Sequence, residues 1–392
     1  MAMKPEWAHA KNILAVRLDS MGDVLMTSPA LAAVRHSAPD MRLTLLTSGA
    51  GAEVASMIDA VDETLVYAAP WVGPASAAGS ARSDLNLMAE LAARRFDAAI
   101  IFTVCTQSAL PAALLCRLAG IPLRLAHSRE NPYALLTNWA PEQDTCIATA
   151  RHEVQRQLDL VHHVGYETAD EHLRLRYDGN DVQQMQQALA AAGGSPDRPY
   201  IVIHPGASAA SRRYPADRYG VVAQALQAHG DYQVVFTGSD EEAELVAQAA
   251  SRMERPPINL AGRLSLGGLA ALIAGARALL CNNTGPAHLA AALGTPVAVL
   301  YALTNPQHTP WRVPSRVLSH DVPCRNCLKS KCPQIHHDCL ERIAPETVLD
   351  AVHALLAETE SSVQKRAVPQ AWTRTSHWRK PSLAPCARPL AF

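Results

Sequence analysis

Short apolar runs of strand length alternate with longer helical patterns along the first half of the chain. The strands predicted there are Ile13 to Leu18, Leu43 to Leu46, Thr64 to Tyr67, Ala98 to Phe102 and Leu123 to Ala126. The helices predicted between them are Val24 to His36, Leu85 to Phe96 and Leu110 to Ala119. This alternation is typical of a parallel sheet covered by helices on both faces.

The same alternation begins again after residues 193–199, which are rich in glycine and proline. The strands predicted here are Tyr200 to His204, Tyr232 to Thr237, Ala278 to Cys281 and Pro296 to Tyr301. The predicted helices are Pro215 to His229, Glu241 to Met253 and Leu266 to Gly275. The sequence therefore predicts an α/β protein with two Rossmann-like, doubly wound domains and a cleft between them. Ligands of such sheets bind beyond the carboxyl ends of the strands.

The pattern divides the chain into four segments. We predict an N-terminal domain over residues 1–175, a C-terminal domain over 176–345 and a final helix over 346–360. A linker near 176–198 allows closure. Residues 361–392 contain prolines and basic residues but no acid, which predicts a disordered basic tail.

Composition limits the classes of function. The 392 residues are 48% hydrophobic, which is enough for two cores, and the formal net charge of -1 excludes the global basic field that nucleic-acid binding needs. No secretory or membrane-spanning run is recognised. We expect a soluble, cytoplasmic protein, with at most peripheral contact between its tail and the inner membrane.

A phosphate site is predicted where a buried strand runs into an alanine-rich helix, at Cys281 to Pro296. Thr284 and Gly285 stand at the helix start, where free backbone N–H groups and the helix dipole favour an anion. His288 lies one turn later, and it either donates to a phosphate or packs as a neutral histidine.

Asp23 follows the first strand in the segment RLDSMGDVLMTSPAL, which begins at Arg17. A carboxylate at that position can take a proton from a substrate hydroxyl. The alternative is that Asp23 only caps the helix.

A second anion-binding loop is predicted after the first strand of the C-terminal domain. Its small and basic residues are Ser208, Arg212 and Arg213. Guanidinium groups match phosphate oxygens, although two solvated surface arginines are the alternative. Glu242 opens the next helix and either binds ribose hydroxyls or caps that helix.

Four of the nine cysteines lie close together, at Cys324, Cys327, Cys332 and Cys339. Four thiolates suit tetrahedral zinc or iron, so a structural metal site outside the site of chemistry is one interpretation. A patch of free thiols is the other. Cys105, Cys116, Cys146 and Cys281 lie in apolar surroundings and are interpreted as inert.

These motifs together resemble the bacterial heptosyltransferases of glycosyltransferase family 9, from about Asn12 to Val352. The segment from Arg17 resembles the family's N-terminal acceptor-side motif, and Asn259 through Pro296 resembles its nucleotide-sugar motif. The resemblance implies the GT-B architecture, with acceptor bound by the N-terminal domain and donor by the C-terminal domain. It also implies an inverting transfer that requires no cofactor.

The resemblance extends to individual residues. Asp23 matches the family's proposed base, and Arg212 stands where a lysine usually contacts the donor diphosphate. Thr284, Gly285 and His288 match residues that hold the donor phosphates. Glu242 matches a ribose-binding acid and Leu264 an apolar residue of the nucleobase site. Asn283 stands where studied members carry Asp.

The function implied is transfer of a sugar, most simply heptose from ADP-heptose, to a lipopolysaccharide core or related glycan. Some relatives hold iron in a four-cysteine site and modify proteins, so a protein O-heptosyltransferase is one alternative. A non-catalytic nucleotide- or metal-binding protein with a degenerate site is the second. A dinucleotide oxidoreductase is disfavoured because no G-x-G-x-x-G follows the first strand.

Overall fold

Two parallel six-stranded sheets form the framework of the molecule. The computed structural model describes residues 3–73, 79–142, 151–228, 232–303 and 306–363. The strands of the first sheet are β1 (Asn12–Arg17), β2 (Arg42–Thr47), β3 (Glu63–Val66), β4 (Ala98–Ile101), β5 (Leu123–Ser128) and β6 (Asn138–Pro141). They lie in the order β3-β2-β1-β4-β5-β6.

Helices cover this first sheet. They are α1 (Pro5–Ala8), α2 (Met21–Ser37), α3 (Gly49–Ala55), α4 (Ala81–Arg94), α5 (Leu110–Leu118) and α6 (Glu153–His162). The central strand β1 is almost wholly buried, and Ile13 pairs with Leu43 on one side and with Ala98 on the other. A strand covered on both faces explains the continuous apolar run in the sequence.

The second sheet repeats the architecture. Its strands are β7 (Tyr200–His204), β8 (Gln233–Phe236), β9 (Ile258–Asn259), β10 (Ala278–Asn282), β11 (Val297–Leu300) and β12 (Ser315–Leu318). The helices around it are α7 (Gly179–Ala191), α8 (Ala216–Ala228), α9 (Ala243–Ala250), α10 (Leu266–Gly275), α11 (Gly285–Leu293), α12 (Asp338–Glu341) and α13 (Pro345–Val363).

Both sheets have the same strand order when each is counted from its own first strand. The second is β12-β11-β10-β7-β8-β9, which places β7 beside β10 as β1 is placed beside β4. The chain reverses direction across the sheet at these two positions, and ligands bind at such switch points. The predicted α/β class with two doubly wound domains is confirmed.

Several elements were not predicted. The predicted linker near residues 176–198 instead contains α7, which starts at a capping box on Asp178 and packs against α10. The elements α3, α6, β6, β9 and β12 were also missed, because they are short or rich in polar residues.

The final helix, predicted over 346–360, runs from Pro345 to Val363 and packs against α8 and β11. The first three residues of the predicted tail are therefore helical, and the other tail residues lie outside the described part of the chain. The domain boundaries themselves stay a prediction.

Helices α2 and α11 join the two domains. Each begins at a switch point, α2 after β1 and α11 after β10, and buried apolar residues of both belong to one continuous cluster that includes Leu25 and Leu289. The start of one helix therefore lies against the start of the other at the bottom of the cleft.

Candidate active site

The cleft between the domains has a volume of about 850 Å³. On the N-terminal side it is lined by residues at the start of α2 and by the segments that follow β2, β3 and β4, at 48–50, 67–73 and 104–107. On the C-terminal side its lining residues include Ser208, Arg212, Asn283, Thr284, Gly285 and His288. Six of the predicted donor residues thus share one cavity with Asp23.

Asp23 uses its two carboxylate oxygens differently. Its Oδ2 accepts hydrogen bonds from the Ser20 backbone N–H at 3.1 Å and from the Ser20 hydroxyl at 2.6 Å, forming a capping box at the start of α2. Its Oδ1 lies 3.3 Å from Nη2 of Arg17. The capping interpretation is therefore correct for Oδ2. The other oxygen, Oδ1, is not used by the cap and lies beside Arg17.

Arg17 holds three acids around one fully buried guanidinium group. Its Nη2 lies 2.9 Å from Oε1 of Glu153, and its Nε lies 3.0 Å from Oδ2 of Asp19. Asp23 is the third acid. Burial would lower the pKa of Arg17, but attraction to the three carboxylates outweighs burial and raises it, so Arg17 carries a permanent charge.

The two aspartates respond to this cluster in opposite directions. Burial raises the pKa of Asp19 to about 6, against the attraction of Arg17. For Asp23, burial would also raise the pKa, but Arg17 and then His308 outweigh it and lower the pKa to about 2. Asp23 is therefore ionised at neutral pH, and Asp19 is the group that takes up a proton on mild acidification.

Gly22 and Gly285 let the two domains approach closely. A Cβ on Gly22 would lie 2.7 Å from Cδ2 of His288, and a Cβ on Gly285 would lie 2.0 Å from Cε of Met21. Each glycine thus leaves space that a side chain of the other domain occupies. Burial, with His308 adding to it, lowers the pKa of His288 to about 3, so His288 is neutral and packs as well as lines the cleft.

Arg212 and Arg213 differ in their surroundings. Arg212 ends the 3₁₀ helix Ala210–Arg212 and lines the cleft. Arg213 is exposed, its Nε donates to the carbonyl of Ala207 at 2.8 Å, and it is not among the residues that line the described cavity. A donor role for Arg213 stays a prediction without geometric support.

Asn282 connects the two loops that are predicted to bind phosphate, and this role was not predicted from the sequence. Its Oδ1 accepts from the Tyr214 backbone N–H at 3.0 Å and from the Tyr219 hydroxyl at 2.9 Å. Its Nδ2 donates to the Pro205 carbonyl at 2.7 Å. Because Asn282 ends β10 and Pro205 follows β7, this buried amide sets the spacing of the loops that carry Arg212 and Thr284.

Asn283 lies next to it but faces the cleft. It is 4% exposed, and its backbone N–H donates to the Leu300 carbonyl at 3.2 Å. Its side chain hydrogen-bonds with the Tyr301 phenol. Asn283, the residue that departs from the family pattern, is thus held in place by Tyr301, which directly follows β11.

Glu242 and Leu264 are not among the lining residues of the described cavity. The Oε2 of Glu242 accepts from the Ser239 backbone N–H at 3.0 Å and lies 3.6 Å from Nε2 of His204. The predicted capping role of Glu242 is present, and its carboxylate occupies the space that a Cβ on Gly206 would need. Leu264 is half-buried beside α10. Their nucleoside-binding roles stay predictions.

The loop that carries the cysteines belongs to the cleft, contrary to expectation. Leu328, Lys329 and Ser330 line the cavity, and Ser211 hydrogen-bonds to the carbonyl oxygens of Lys329 and Ser330. This loop is therefore attached to the loop that presents Arg212.

The metal prediction for Cys324, Cys327, Cys332 and Cys339 is not supported. Over the described ranges, no group of three or more histidine, cysteine, aspartate or glutamate side chains is placed to hold a metal ion. The four thiols are free. Cys339 lies in the short helix α12 and is half-buried against the C-terminal core, whereas the other three lie on the preceding loop.

The scattered cysteines are of two kinds. Cys116 and Cys281 are buried free thiols, as expected. Cys105, predicted to be inert, is instead disulfide-bonded. Cys146 lies outside the described residues. Among the helices that the structure describes, none is long and apolar enough to cross a membrane.

The sequence matches known proteins over most of its length. The sequence profile of glycosyltransferase family 9 (heptosyltransferase) matches residues 85–338. Lipopolysaccharide heptosyltransferase 1 of Pseudomonas aeruginosa is 26% identical over 373 residues, which covers 89% of this chain and 99% of that protein. Lipopolysaccharide heptosyltransferase 2 of Salmonella typhimurium is 31% identical over 275 residues, covering 68% of this chain and 77% of that protein.

A solved structure shares the architecture. The E. coli ADP-heptose lipopolysaccharide heptosyltransferase II superposes with a TM-score of 0.69 at 23% identity, covering 89% of this chain and 99% of that chain. At this identity the likeness shows the common two-domain fold.

Proposed function

The chain belongs to glycosyltransferase family 9, and from this membership we propose that it is an inverting heptosyltransferase that uses ADP-heptose and a lipopolysaccharide core or related glycan. It is an enzyme of the glycosyltransferase class with the GT-B architecture. The proposal depends on one observation above all, that Asp23 shares a single cleft with Arg212 and the start of α11.

The donor diphosphate is assigned to the C-terminal side of the cleft. The start of α11 offers backbone N–H groups and the positive end of the helix dipole, at Thr284 and Gly285. The side chain of Thr284 makes no capping hydrogen bond, so its hydroxyl is available to a ligand. Arg212 adds a guanidinium group that can bind two phosphate oxygens at once.

The transfer is a single displacement at the anomeric carbon of the donor sugar. The acceptor hydroxyl oxygen forms the new bond to that carbon while the bond to the diphosphate oxygen breaks, and the configuration inverts. The hydroxyl proton passes to Asp23, and ADP leaves with the electron pair of the broken bond. Arg212 and the α11 dipole stabilise the negative charge that develops on the diphosphate.

The low pKa of Asp23 is compatible with this role. A carboxylate with a pKa near 2 is a weak base towards a free hydroxyl. In an oxocarbenium-like transition state, however, the attacking oxygen becomes acidic as its bond to carbon forms, so proton transfer late in the step needs only a weak base. The low pKa also keeps Asp23 ionised across the physiological range.

The acceptor is assigned to the N-terminal side, because the segments at 48–50 and 67–73 form that wall of the cleft. Lipopolysaccharide is the acceptor class in the names of both relatives. Asn283 lines the cleft next to Thr284, and its amide can hydrogen-bond donor hydroxyls without adding a charge.

The comparisons favour neither alternative. A protein acceptor rested on the iron site, and the four cysteines are not placed to form one. A non-catalytic protein rested on Asn283, but Asn283 remains in the cleft with a defined hydrogen-bond partner, and the chain belongs to a family of enzymes.

The decisive experiment is Asp23→Asn, with transfer from ADP-heptose measured by ADP release. Asparagine keeps an oxygen that accepts from Ser20, so the helix cap survives. We expect transfer to fall by about 10²- to 10⁴-fold, while calorimetric affinity for ADP stays within about threefold of the unmodified enzyme. Ser20→Ala is the matched control, since it weakens the cap and leaves the carboxylate. Unchanged turnover in Asp23→Asn would refute the assignment of the base.

A further inference from the structure

His308 crosses from the C-terminal domain to two acids of the N-terminal domain. It ends the 3₁₀ helix Pro306–His308. Its Nδ1 lies 4.0 Å from Oδ1 of Asp23, and its Nε2 lies 3.9 Å from Oε2 of Glu153. The imidazole therefore lies between two carboxylates, with one ring nitrogen facing each.

Glu153 needs a positive partner on the side where His308 lies. Its side chain is fully buried, and Oε1 accepts from Nη2 of Arg17 at 2.9 Å and from Nε2 of Gln157 at 2.6 Å. In the described part of the chain, no group donates a hydrogen bond to Oε2. A buried carboxylate oxygen without a donor is costly, and His308 supplies the nearby ring nitrogen that reduces this cost.

The balance of charges around Arg17 also indicates that the acids need a further partner. Arg17 carries one positive charge and faces three carboxylates, on Asp19, Asp23 and Glu153. Like charges at such distances in a buried site destabilise each other. The imidazole of His308 lies beside two of these acids, Asp23 and Glu153, with one ring nitrogen towards each.

The position of His308 depends on contact between the domains. The neighbouring Gln307 is buried and donates from Nε2 to the Arg151 carbonyl at 3.1 Å. On the other side, Nε2 of His152 lies 2.8 Å from the Thr309 carbonyl. Both Arg151 and His152 immediately precede α6, so residues 307–309 reach the cluster only when the C-terminal domain is packed against α6.

We propose that His308 is a positioning residue that completes the base: the packing of the C-terminal domain against α6 holds it between Glu153 and Asp23, and this contact fixes the reactive carboxylate. The inference rests on the proposed function in taking Asp23 as the base. Apart from this contact, the carboxylate is held by Arg17 and Ser20. The domain that carries the predicted donor residues thereby also orients the base.

The test is His308→Gln, a neutral replacement of similar reach, with His308→Lys as the variant that places a cation at the same position. We expect His308→Gln to lower kcat about 10- to 100-fold, as expected for loss of precise alignment, with the donor KM within about threefold. His308→Lys should recover part of that loss. A variant that keeps the unmodified kcat while remaining folded by circular dichroism overturns the proposal.

The pH dependence of kcat distinguishes a positioning role of His308 from a merely structural role. The titratable groups around Asp23 are Arg17, Asp19, Glu153, His288 and His308. Because His308 helps to lower the pKa of Asp23, its removal should move the acid limb of kcat to higher pH. An unshifted limb contradicts the proposal.

Glu153→Gln gives a second, independent measurement. If His308 acts through this acid, the double variant Glu153→Gln with His308→Gln should be no slower than the slower single variant, and fully additive losses contradict coupling. Asp23→Asn in the same assay distinguishes the two failures. If Asp23→Asn still transfers sugar, the proposed base itself is wrong; if it is inactive while His308→Gln is normal, only this inference is wrong.

Discussion

Gly22 of the N-terminal domain lies so close to His288 of the C-terminal domain that a Cβ on the glycine would come within 2.7 Å of the imidazole Cδ2. The contact lies at the bottom of the cleft, between the starts of α2 and α11. His288 is buried, so its ring cannot move aside without disturbing α11.

Gly22→Ala should therefore weaken the contact between the domains. We expect a loss of about 1–3 kcal/mol in the free energy of unfolding, the range of an overpacked core, measured by urea denaturation. Gly285→Ala is the matched variant, since its Cβ meets only the flexible Met21 side chain. It should lose less, and equal losses in the two variants would show that the rigid ring is not the cause.

Arg212→Ala and Arg213→Ala should distinguish the contributions of the two adjacent arginines to ADP binding. Only Arg212 lines the described cavity, so its loss should weaken ADP binding by about 10- to 100-fold, the worth of a charge-assisted hydrogen-bond pair. Arg213→Ala should change the affinity by less than about threefold. Isothermal calorimetry with ADP is the measurement, and comparable losses in both variants would assign the diphosphate to both side chains.

Asn282→Ala should destabilise the C-terminal domain. It removes the amide that bonds Tyr214, Tyr219 and Pro205, and it leaves their buried polar groups without that partner. We expect a loss of about 2–4 kcal/mol in urea denaturation, together with weaker ADP binding as the loops separate. The control is Asn180→Ala at an exposed position, which should change stability by less than about 0.5 kcal/mol.

Asp19→Asn should stabilise the protein at neutral pH. The pKa of Asp19 is about 6 in the folded state, above the unfolded value near 4, so the folded state binds the proton more tightly. Stability therefore falls as the pH rises from about 4 to 6, and this penalty remains in full at pH 7.5.

Replacement by asparagine removes that penalty and keeps an oxygen for Gln107. We expect a gain of about 1–3 kcal/mol at pH 7.5 that vanishes near pH 4. The exposed acid Asp197 offers the control, because Asp197→Asn should produce no such pH-dependent gain. A gain of equal size at both pH values would contradict the assignment.

The fold was largely predictable because buried parallel strands leave a strong signal. The predicted strand Tyr200 to His204 and helix Leu266 to Gly275 have their predicted bounds, and Asp23 and Thr284 follow β1 and β10 as expected. Strand ends bring such residues to one edge of a sheet, so a motif at a strand end already indicates the cleft.

The rest of the cluster could not be predicted, because it depends on side chains that meet across long stretches of sequence. Arg17 and Glu153 are separated by 136 positions, and Glu153 begins a polar helix that carries no motif. His308 is still further along the chain. The only available signal was Arg17 itself, a charged residue at the end of an apolar strand, which requires buried acids somewhere in the fold.

The roles of the two adjacent asparagines, Asn282 and Asn283, could not be predicted either. Asn282 is the last residue of β10 and Asn283 follows the strand, and one of the two amides is structural while the other lines the cleft. The sequence does not indicate which. Only the contacts reveal that Asn282 is structural and that Asn283 lines the cleft.

The division of the cleft wall described above has an evolutionary consequence. The predicted site residues Asp23, Thr284 and Gly285 lie at the starts of α2 and α11, whose packing against each other fixes them, whereas the segment at 67–73 is a loop after β3. Loops tolerate substitution and insertion far better than packed helix starts do. Substitutions in the segment at 67–73 can therefore reshape this wall of the cleft while the packed starts of α2 and α11 stay the same.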